Sequence, residues 1–331
     1  MRKRTVLFIS ILLLALMACN LTSKSYSPTA SPLVGTIVAS TLTASAVAPG
    51  VPTETATPAP IIPQPEIPPT GGQPAKAEPL AVPDGTATIL LMGSDQRPKA
   101  GDFRTDTMVL VVLRKDGTVS MVSFPRDLWV YLPGKGMQRI NAAQEFGGFD
   151  LVKSSFEYNF GFAPESYVLT NFSGFESIVN SLGGIDVQVG KTLADARTGY
   201  PDGFRVDPGQ VHMDGETALW YVRSRKTTSD LDRLRRSQEV IVAIARKMLS
   251  LNGLSRVPEF YAAFRGAVVT DLTLADVTDL APIFQSINAN NVQRYAISSD
   301  QVVPFVTGGG ADVLLPRSQA IRAVLMQAFG E

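Results

Sequence analysis

Residues 87–124, ATILLMGSDQRPKAGDFRTDTMVLVVLRKDGTVSMVSF, carry three apolar, β-branched runs separated by polar loops. Ala87–Met92, Thr107–Leu113 and Thr118–Phe124 read as strands, and Lys115-Asp116-Gly117 supplies a hairpin-like turn between the last two. Outward from this block, strand-like runs recur near Ser166–Phe172, Ile185–Val189 and Val292–Ile297. Helical stretches lie between them: Gly148–Gly161, then Ser173–Leu182, with a Ser173/Glu176 capping box at its start and Gly183-Gly184 as its stop. A short helix over Glu216–Val222 follows, then a longer one starting at Ser229 or Asp230, segments over 256–265 and 274–288, and a final amphipathic helix from Pro316. Interleaved strands and helices with some antiparallel pairing specify an α/β fold, a three-layer α/β/α sandwich on a central mixed β-sheet.

The fold is preceded by two segments of different character. Met1-Arg2-Lys3-Arg4, an apolar run over Val6–Met17 and Ala18-Cys19 have the layout of a secretory signal, and the run is short for a bilayer span. Leu16-Met17-Ala18-Cys19 resembles a bacterial lipobox, so residues 1–18 are expected to be a lipoprotein signal peptide and Cys19 a lipidation site. The other reading is an uncleaved signal-anchor helix. Both place the remainder outside the cytoplasm, anchored at the cell membrane. Residues 19–83, rich in Pro, Thr, Ser and Ala, read as a disordered tether with a coil span of about 45 Å. Residues 84–331 are then one large domain.

Composition removes several classes of function. Basic and acidic side chains are equal at 30 each, and removal of residues 1–18 takes away three bases and no acid, so no nucleic-acid partner is expected from overall charge. Cys19 is the only cysteine, which leaves the mature domain without a disulfide. His212 is the only histidine, which excludes a zinc site of several histidines, and it reads as a polar loop residue.

Against this neutral background, Trp220–Gln238 (WYVRSRKTTSDLDRLRRSQ) concentrates Arg223, Arg225, Lys226, Arg233, Arg235 and Arg236. Arg233 and Arg236 are three apart and share a helix face, so both can act on one anionic ligand. Arg235 lies about 200° round from Arg233 and reads as a solvated side chain. A salt-bridge network with Asp230 and Asp232 is the alternative for the whole cluster. The loops at the strand ends add further polar residues. Asp95 ends the first strand and Asp106 starts the second, a pair that either holds magnesium or serves turn chemistry. Arg126-Asp127 follows the third strand, and Asn141 stands at a later strand-to-helix entry as cap or ligand.

Taken in order, GSDQR, FRTDTMVLV, SFPRDLWV, RINAAQEFGG, NSLGGIDVQV, MDGETALWYVRSR and DLDRLRRSQEVI resemble the motif series of the LytR-CpsA-Psr family over about residues 86–331. The resemblance implies an extracytoplasmic phosphotransferase. Such an enzyme moves a glycopolymer from a polyprenyl (pyro)phosphate carrier onto a peptidoglycan acceptor, in an arginine-lined, Mg²⁺-containing site beside an apolar lipid pocket. It also implies that Asp95 and Asp106 bind the metal, and that Arg104, Arg126, Arg223, Arg225, Arg233 and Arg236 bind pyrophosphate, with Asn141 and Gln238 as polar contacts. Catalysis then rests on Arg126 and on Asp106 or Asp127 as proton acceptor. Ser237 departs from the family pattern, which has glutamine there. Trp220, Leu219 and Ile241 are candidate walls of the lipid pocket or ordinary core residues. A pyrophosphate hydrolase and a non-catalytic binder of lipid-linked polymers are the competing functions.

Acylation of Cys19 is directly measurable. Mass analysis of the mature N-terminus is expected to show a diacyl-modified Cys19, and recovery of an intact Met1 would establish the signal-anchor reading instead.

Overall fold

The computed structural model describes residues 73–95, 104–224, 230–251, 257–285 and 291–331. Cys19 and Arg225 lie outside the described residues. The block quoted above folds into three antiparallel neighbours, β1 (Ala87–Ser94), β2 (Thr105–Leu113) and β3 (Val119–Phe124). Gly117 turns the β2–β3 hairpin at φ 79°, a left-handed conformation that glycine adopts without strain. Its N–H donates to the Arg114 carbonyl at 3.0 Å.

After β4 (Trp129–Leu132) and β5 (Gly136–Arg139), which pair with each other, come α1 (Ala143–Phe160) and β6 (Ser166–Asn171). Next are α2 (Phe172–Ser181), β7 (Ile185–Val189), β8 (Leu193–Arg197), β9 (Tyr200–Val206) and β10 (Gly209–Met213). Then follow α3 (Gly215–Arg223), α4 (Asp230–Ser250), α5 (Val257–Phe264), β11 (Val268–Thr270) and α6 (Leu274–Gln285). The chain ends with β12 (Val292–Ala296), β13 (Val302–Val306), β14 (Asp312–Pro316) and α7 (Ser318–Phe329). Six strands form one mixed sheet in the order β11-β6-β1-β2-β3-β12, in which β6 and β12 run parallel to their inner neighbours.

Strand alternation sorts the apolar side chains to two faces. Leu90, Met92, Met108, Leu110, Val122 and Phe124 pack against Val152, Phe156 and Phe160 of α1 and against Ile321 and Leu325 of α7. Ile89, Val109, Val111 and Met121 point the other way, toward Val242 of α4 and Leu280 and Ile283 of α6. This is the expected three-layer α/β/α arrangement. A separate cluster joins β7, α3 and α4 through Val187, Tyr221 and Val240, with Phe260 of α5.

Three local expectations are corrected. The cap of α2 is Asn171, whose side chain accepts the Gly174 N–H at 2.9 Å. The reason is that β6 runs straight into the helix one residue before the expected Ser173/Glu176 box. Pro316 closes β14 and does not open the last helix, which starts at Ser318. The tether also ends earlier than residue 83. Leu80 is buried, the Ala77 and Leu80 N–H groups donate to the Tyr158 and Gly161 carbonyls at 2.8 Å, and Arg322 holds the Glu78 and Pro79 carbonyls. Its polar composition hid a strap that docks by backbone hydrogen bonds, for which any residue but proline can donate.

Removing the Leu80 side chain separates strap from tether. Leu80→Ala should lower unfolding free energy by about 2–5 kcal/mol, seen as an earlier denaturation midpoint. An unchanged midpoint would return residues 73–83 to the tether.

Candidate functional site

Antiparallel β1–β2 pairing brings the end of β1 and the start of β2 to the same edge of the sheet. The register is Gly93↔Thr107 and then Ser94↔Thr105, which leaves Asp106 as an extra residue in a β-bulge. A bulge re-aims the side chain it carries. Asp95 and Asp106 both line one large cavity at this edge. Across the cavity mouth, Arg126 Nη1 donates to Asp106 Oδ1 at 2.5 Å. Burial opposes the Arg126 charge, but the hydrogen bond and charge of Asp106, joined by Asp127, hold its pKa above the ordinary arginine value.

Asp127 lies one step back. It accepts from Arg126 Nε at 3.3 Å and forms an ion pair with Arg139, whose Nε lies 3.1 Å away, and it is not among the residues lining the cavity. Arg139 is itself fixed by the Asp312 carbonyl at 2.7 Å. The Asp106–Arg126–Asp127–Arg139 chain therefore holds Arg126 in one orientation, with Asp106 as the carboxylate that faces the cavity.

Helices α3 and α4 supply the remaining cations. Asp214 caps α3 by accepting the Thr217 N–H at 2.8 Å, and Arg223 ends the helix with its guanidinium 4.0 Å from the Phe172 ring. Arg223 and Arg233 line the cavity. Arg236 does not, and here the expected role is corrected. It is fully buried, donates to the Tyr221 carbonyl and to the Ser224 carbonyl at 2.5 Å, and lies 3.4 Å from Asp232. Its charge satisfies carbonyls that the end of α3 leaves without helical partners. Burial in turn lowers the Arg236 pKa, against the opposing charge of Asp232.

Four further expectations change. Gln238 points away from the cavity and donates to Ser123 Oγ and the Tyr295 carbonyl, each at 2.8 Å, which ties α4 to β3 and β12. Asn141 is buried behind the start of β2, where its backbone carbonyl accepts from Thr105 Oγ at 3.3 Å. The Arg104 N–H reaches Asp95 Oδ1 at 3.3 Å, and its guanidinium lies 3.6 Å from Glu145, beside the cavity but not in its wall. Arg235 is not solvated: it pairs with Asp232 at 2.7 Å and with Glu239, whose other oxygen accepts the Tyr221 hydroxyl at 2.7 Å. Within the basic cluster Arg235 and Arg236 thus pair with Asp232, whereas Arg223 and Arg233 face the cavity. His212 is exposed and pairs with Asp186 at 2.8 Å, away from the cavity.

Behind its charged mouth the cavity is apolar and encloses about 1330 Å³. Leu91 and Val168 of the sheet, Leu219 and Trp220 of α3, Ile241 of α4 and Phe260 of α5 are among its walls. The three residues proposed from sequence as lipid-pocket walls are all here. Ser94, Phe172 and Ser237 also line it and were not singled out as site residues, Ser237 having been noted only as a departure from the family pattern. The Ser94 hydroxyl is buried at the end of β1 and has no hydrogen-bond partner among the described residues. Only the adjacency of Asn171-Phe172 to a strand end pointed toward Phe172.

Comparison with known proteins places this geometry among relatives. The LytR_cpsA_psr family model matches residues 70–326. The chain is 34% identical over 209 residues to Bacillus subtilis TagT, named as a polyisoprenyl-teichoic acid–peptidoglycan teichoic acid transferase, covering 61% of this chain and 65% of TagT. It is 33% identical over 207 residues to the Enterococcus faecalis TagU transferase, covering 60% and 66%. The matches therefore span just under two thirds of these relatives' own length. Among solved structures, B. subtilis TagV superposes with a TM-score of 0.63 at 25% identity, covering 74% of this chain and 97% of TagV. TagT bound to LI-WTA superposes with 0.59 at 27% identity, covering 78% and 97%.

The two arginine roles are separable. Arg223→Ala should weaken pyrophosphate binding about ten- to hundredfold in calorimetry, with the melting temperature unchanged. Arg236→Ala should instead cost about 2–4 kcal/mol of stability, because buried carbonyls lose their donor. Equal effects of both variants on binding and melting would put the two side chains in one role.

Proposed function

The chain belongs to the LytR_cpsA_psr family, and from that premise we propose that it transfers a glycopolymer from a polyprenyl pyrophosphate carrier to a hydroxyl of peptidoglycan, outside the cytoplasm and at the membrane to which Cys19 anchors it. One observation carries the reading: a single cavity joins an apolar body to a mouth that holds Asp95, Asp106, Arg126, Arg223 and Arg233. That is the complement of an amphiphile with a hydrocarbon tail and a diphosphate head. Burial of the tail contributes about 0.8 kcal/mol per CH₂, and guanidinium groups take phosphate oxygens by paired hydrogen bonds.

The residues present fit Mg²⁺. Asp95 and Asp106 give hard oxygen donors to one cavity, which the buried Ser94 hydroxyl, without a hydrogen-bond partner among the described residues, also lines, and magnesium favours one or two carboxylates with water and phosphate oxygens completing its shell. When bound, the ion neutralises charge on the transferred phosphate. Arg126, oriented by Asp106 and Asp127, holds a non-bridging phosphate oxygen. Arg223 and Arg233 steady the phosphate that leaves with the lipid. The acceptor hydroxyl oxygen forms the new bond to phosphorus as the bond to the carrier's phosphate breaks, and polyprenyl phosphate departs. Asp106 is the carboxylate facing the reacting centre and accepts the hydroxyl proton. Asp127, committed to two arginines, acts through Arg126.

Asp95→Ala and Asp106→Ala are expected to abolish magnesium-dependent transfer, by about 100-fold or more, with unchanged melting curves. A stably folded Asp106→Ala protein with undiminished magnesium response would overturn the metal assignment. Turnover of the donor in the wild type without an acceptor glycan would favour a hydrolase.

A further inference from the structure

Glu216, Leu219, Trp220 and Arg223 all line the cavity, and at that spacing they form one stripe of α3. The helix therefore flanks the cavity over the eight residues from Glu216 to Arg223, a rise of about 10 Å. Arg223 marks the phosphate end of the stripe and Glu216 the other. Opposite Glu216 stands Arg197, from the β8–β9 hairpin. Its guanidinium lies 3.7 Å from the Glu216 carboxylate, and its side chain is 6% exposed. Arg197 lines the cavity with Asp195 and Thr198, and its Nε is buried with no hydrogen-bond partner among the described residues.

The placement of Arg197 is built into the hairpin. Arg197 follows Asp195 at the two-residue spacing of a regular strand, so the two side chains share a face, and the irregularity lies on β9, where Tyr200 pairs with Arg197 and Phe204 with Asp195. The guanidinium rests 4.9 Å from the Tyr200 ring and 4.4 Å from the Phe204 ring. Phe204 packs edge-on against Trp220 at 4.9 Å, and Trp220 Nε1 donates to the Ala196 carbonyl at 3.0 Å. An arginine, a carboxylate and an indole are thus held in fixed positions at one end of the cavity.

We propose that this end is a carbohydrate subsite, which binds the sugar units of the donor next to its pyrophosphate. This rests on the transferase reading above. Arg197 is already charge-compensated by Glu216, so a second anion gains little there. A neutral ligand bearing several hydroxyls gains from both groups: the guanidinium donates to a hydroxyl oxygen, and the carboxylate, 66% exposed at the side chain, accepts a hydroxyl proton. Trp220 offers an apolar wall to the C–H face of a sugar ring. An isoprenoid chain offers neither donor nor acceptor, and would desolvate both charges without replacing their water. The hydrocarbon is therefore placed against the apolar lining that includes Ile241 and Phe260.

The test is calorimetry on the intact protein with magnesium and two probes: farnesyl pyrophosphate, and farnesyl pyrophosphate capped with an N-acetylglucosamine disaccharide. The wild type should bind the capped probe at least tenfold more tightly. Arg197→Gln should remove that preference and leave the affinity for the bare probe unchanged. Glu216→Gln, at an exposed position, should cut the preference in the same direction, and it decides the matter if Arg197→Gln melts early. A preference retained in Glu216→Gln and in folded Arg197→Gln would make the cluster a packing device and overturn the subsite. The same follows if the wild type binds the bare probe but shows no preference. Failure of the wild type to bind even the bare probe would instead strike the transferase reading itself.

Discussion

A guanidinium withdrawn completely from solvent is costly unless its donors are used, and Arg236 uses them to hold two helices together. Its bonds to the Tyr221 and Ser224 carbonyls join the last turn of α3 to the second turn of α4. That junction fixes Arg223, which ends one helix, and Arg233, which starts the other, as neighbours on the cavity wall. Burying such a charge is rarely a gain in stability over an apolar side chain of the same volume. What it provides is a defined angle between two elements. Glu239 extends the junction by accepting from Arg235 and from the Tyr221 hydroxyl, whose pKa is raised by burial first and then by that bond.

The charged end of the cavity depends on a departure from regular strand geometry. Asp106 sits in a bulge of the central sheet. In regular strands alternation fixes which side chains face a core. At the bulge one side chain is released from that rule and faces the cavity, whereas Asp195 and Arg197, two apart on β8, reach it by ordinary alternation. Beside them α3 presents Glu216, Leu219, Trp220 and Arg223 as a continuous stripe. The cavity thereby changes character along its length, from carboxylate and guanidinium, through hydrocarbon and indole, to a second arginine–carboxylate pair.

The sheet and its flanking helices were legible in the chain because apolar periodicity and turn chemistry are local. ATILLM, TMVLVVL and TVSMVSF became β1, β2 and β3, and Gly117 and Gly183-Gly184 turn the chain where expected, each with positive φ. The short pairs β4–β5, β8–β9 and β13–β14 were not read, because runs of four to seven residues, several broken by proline or glycine, are too short to display a period. The strap at residues 76–80 escaped for a related reason: it is held mainly by backbone groups, which are the same in every sequence.

The sequence by itself determined the α/β layering, the presence of an arginine-rich segment in a neutral chain, and the carboxylates at strand ends. Each of these depends on residue type and spacing along one element. Which arginine faces the cavity and which is buried as a clamp was decided only by tertiary structure. Arg233 and Arg236 share a helix face and differ in fate, because Arg236 meets the open carbonyls of α3 while Arg233 meets the cavity. Gln238, two residues beyond Arg236 and on the opposite side of the helix, meets β3 and β12 instead. The chemistry of a side chain is written in the sequence, but the groups that compete for its hydrogen bonds come from elements far along the chain, and only their packing settles which of them it reaches.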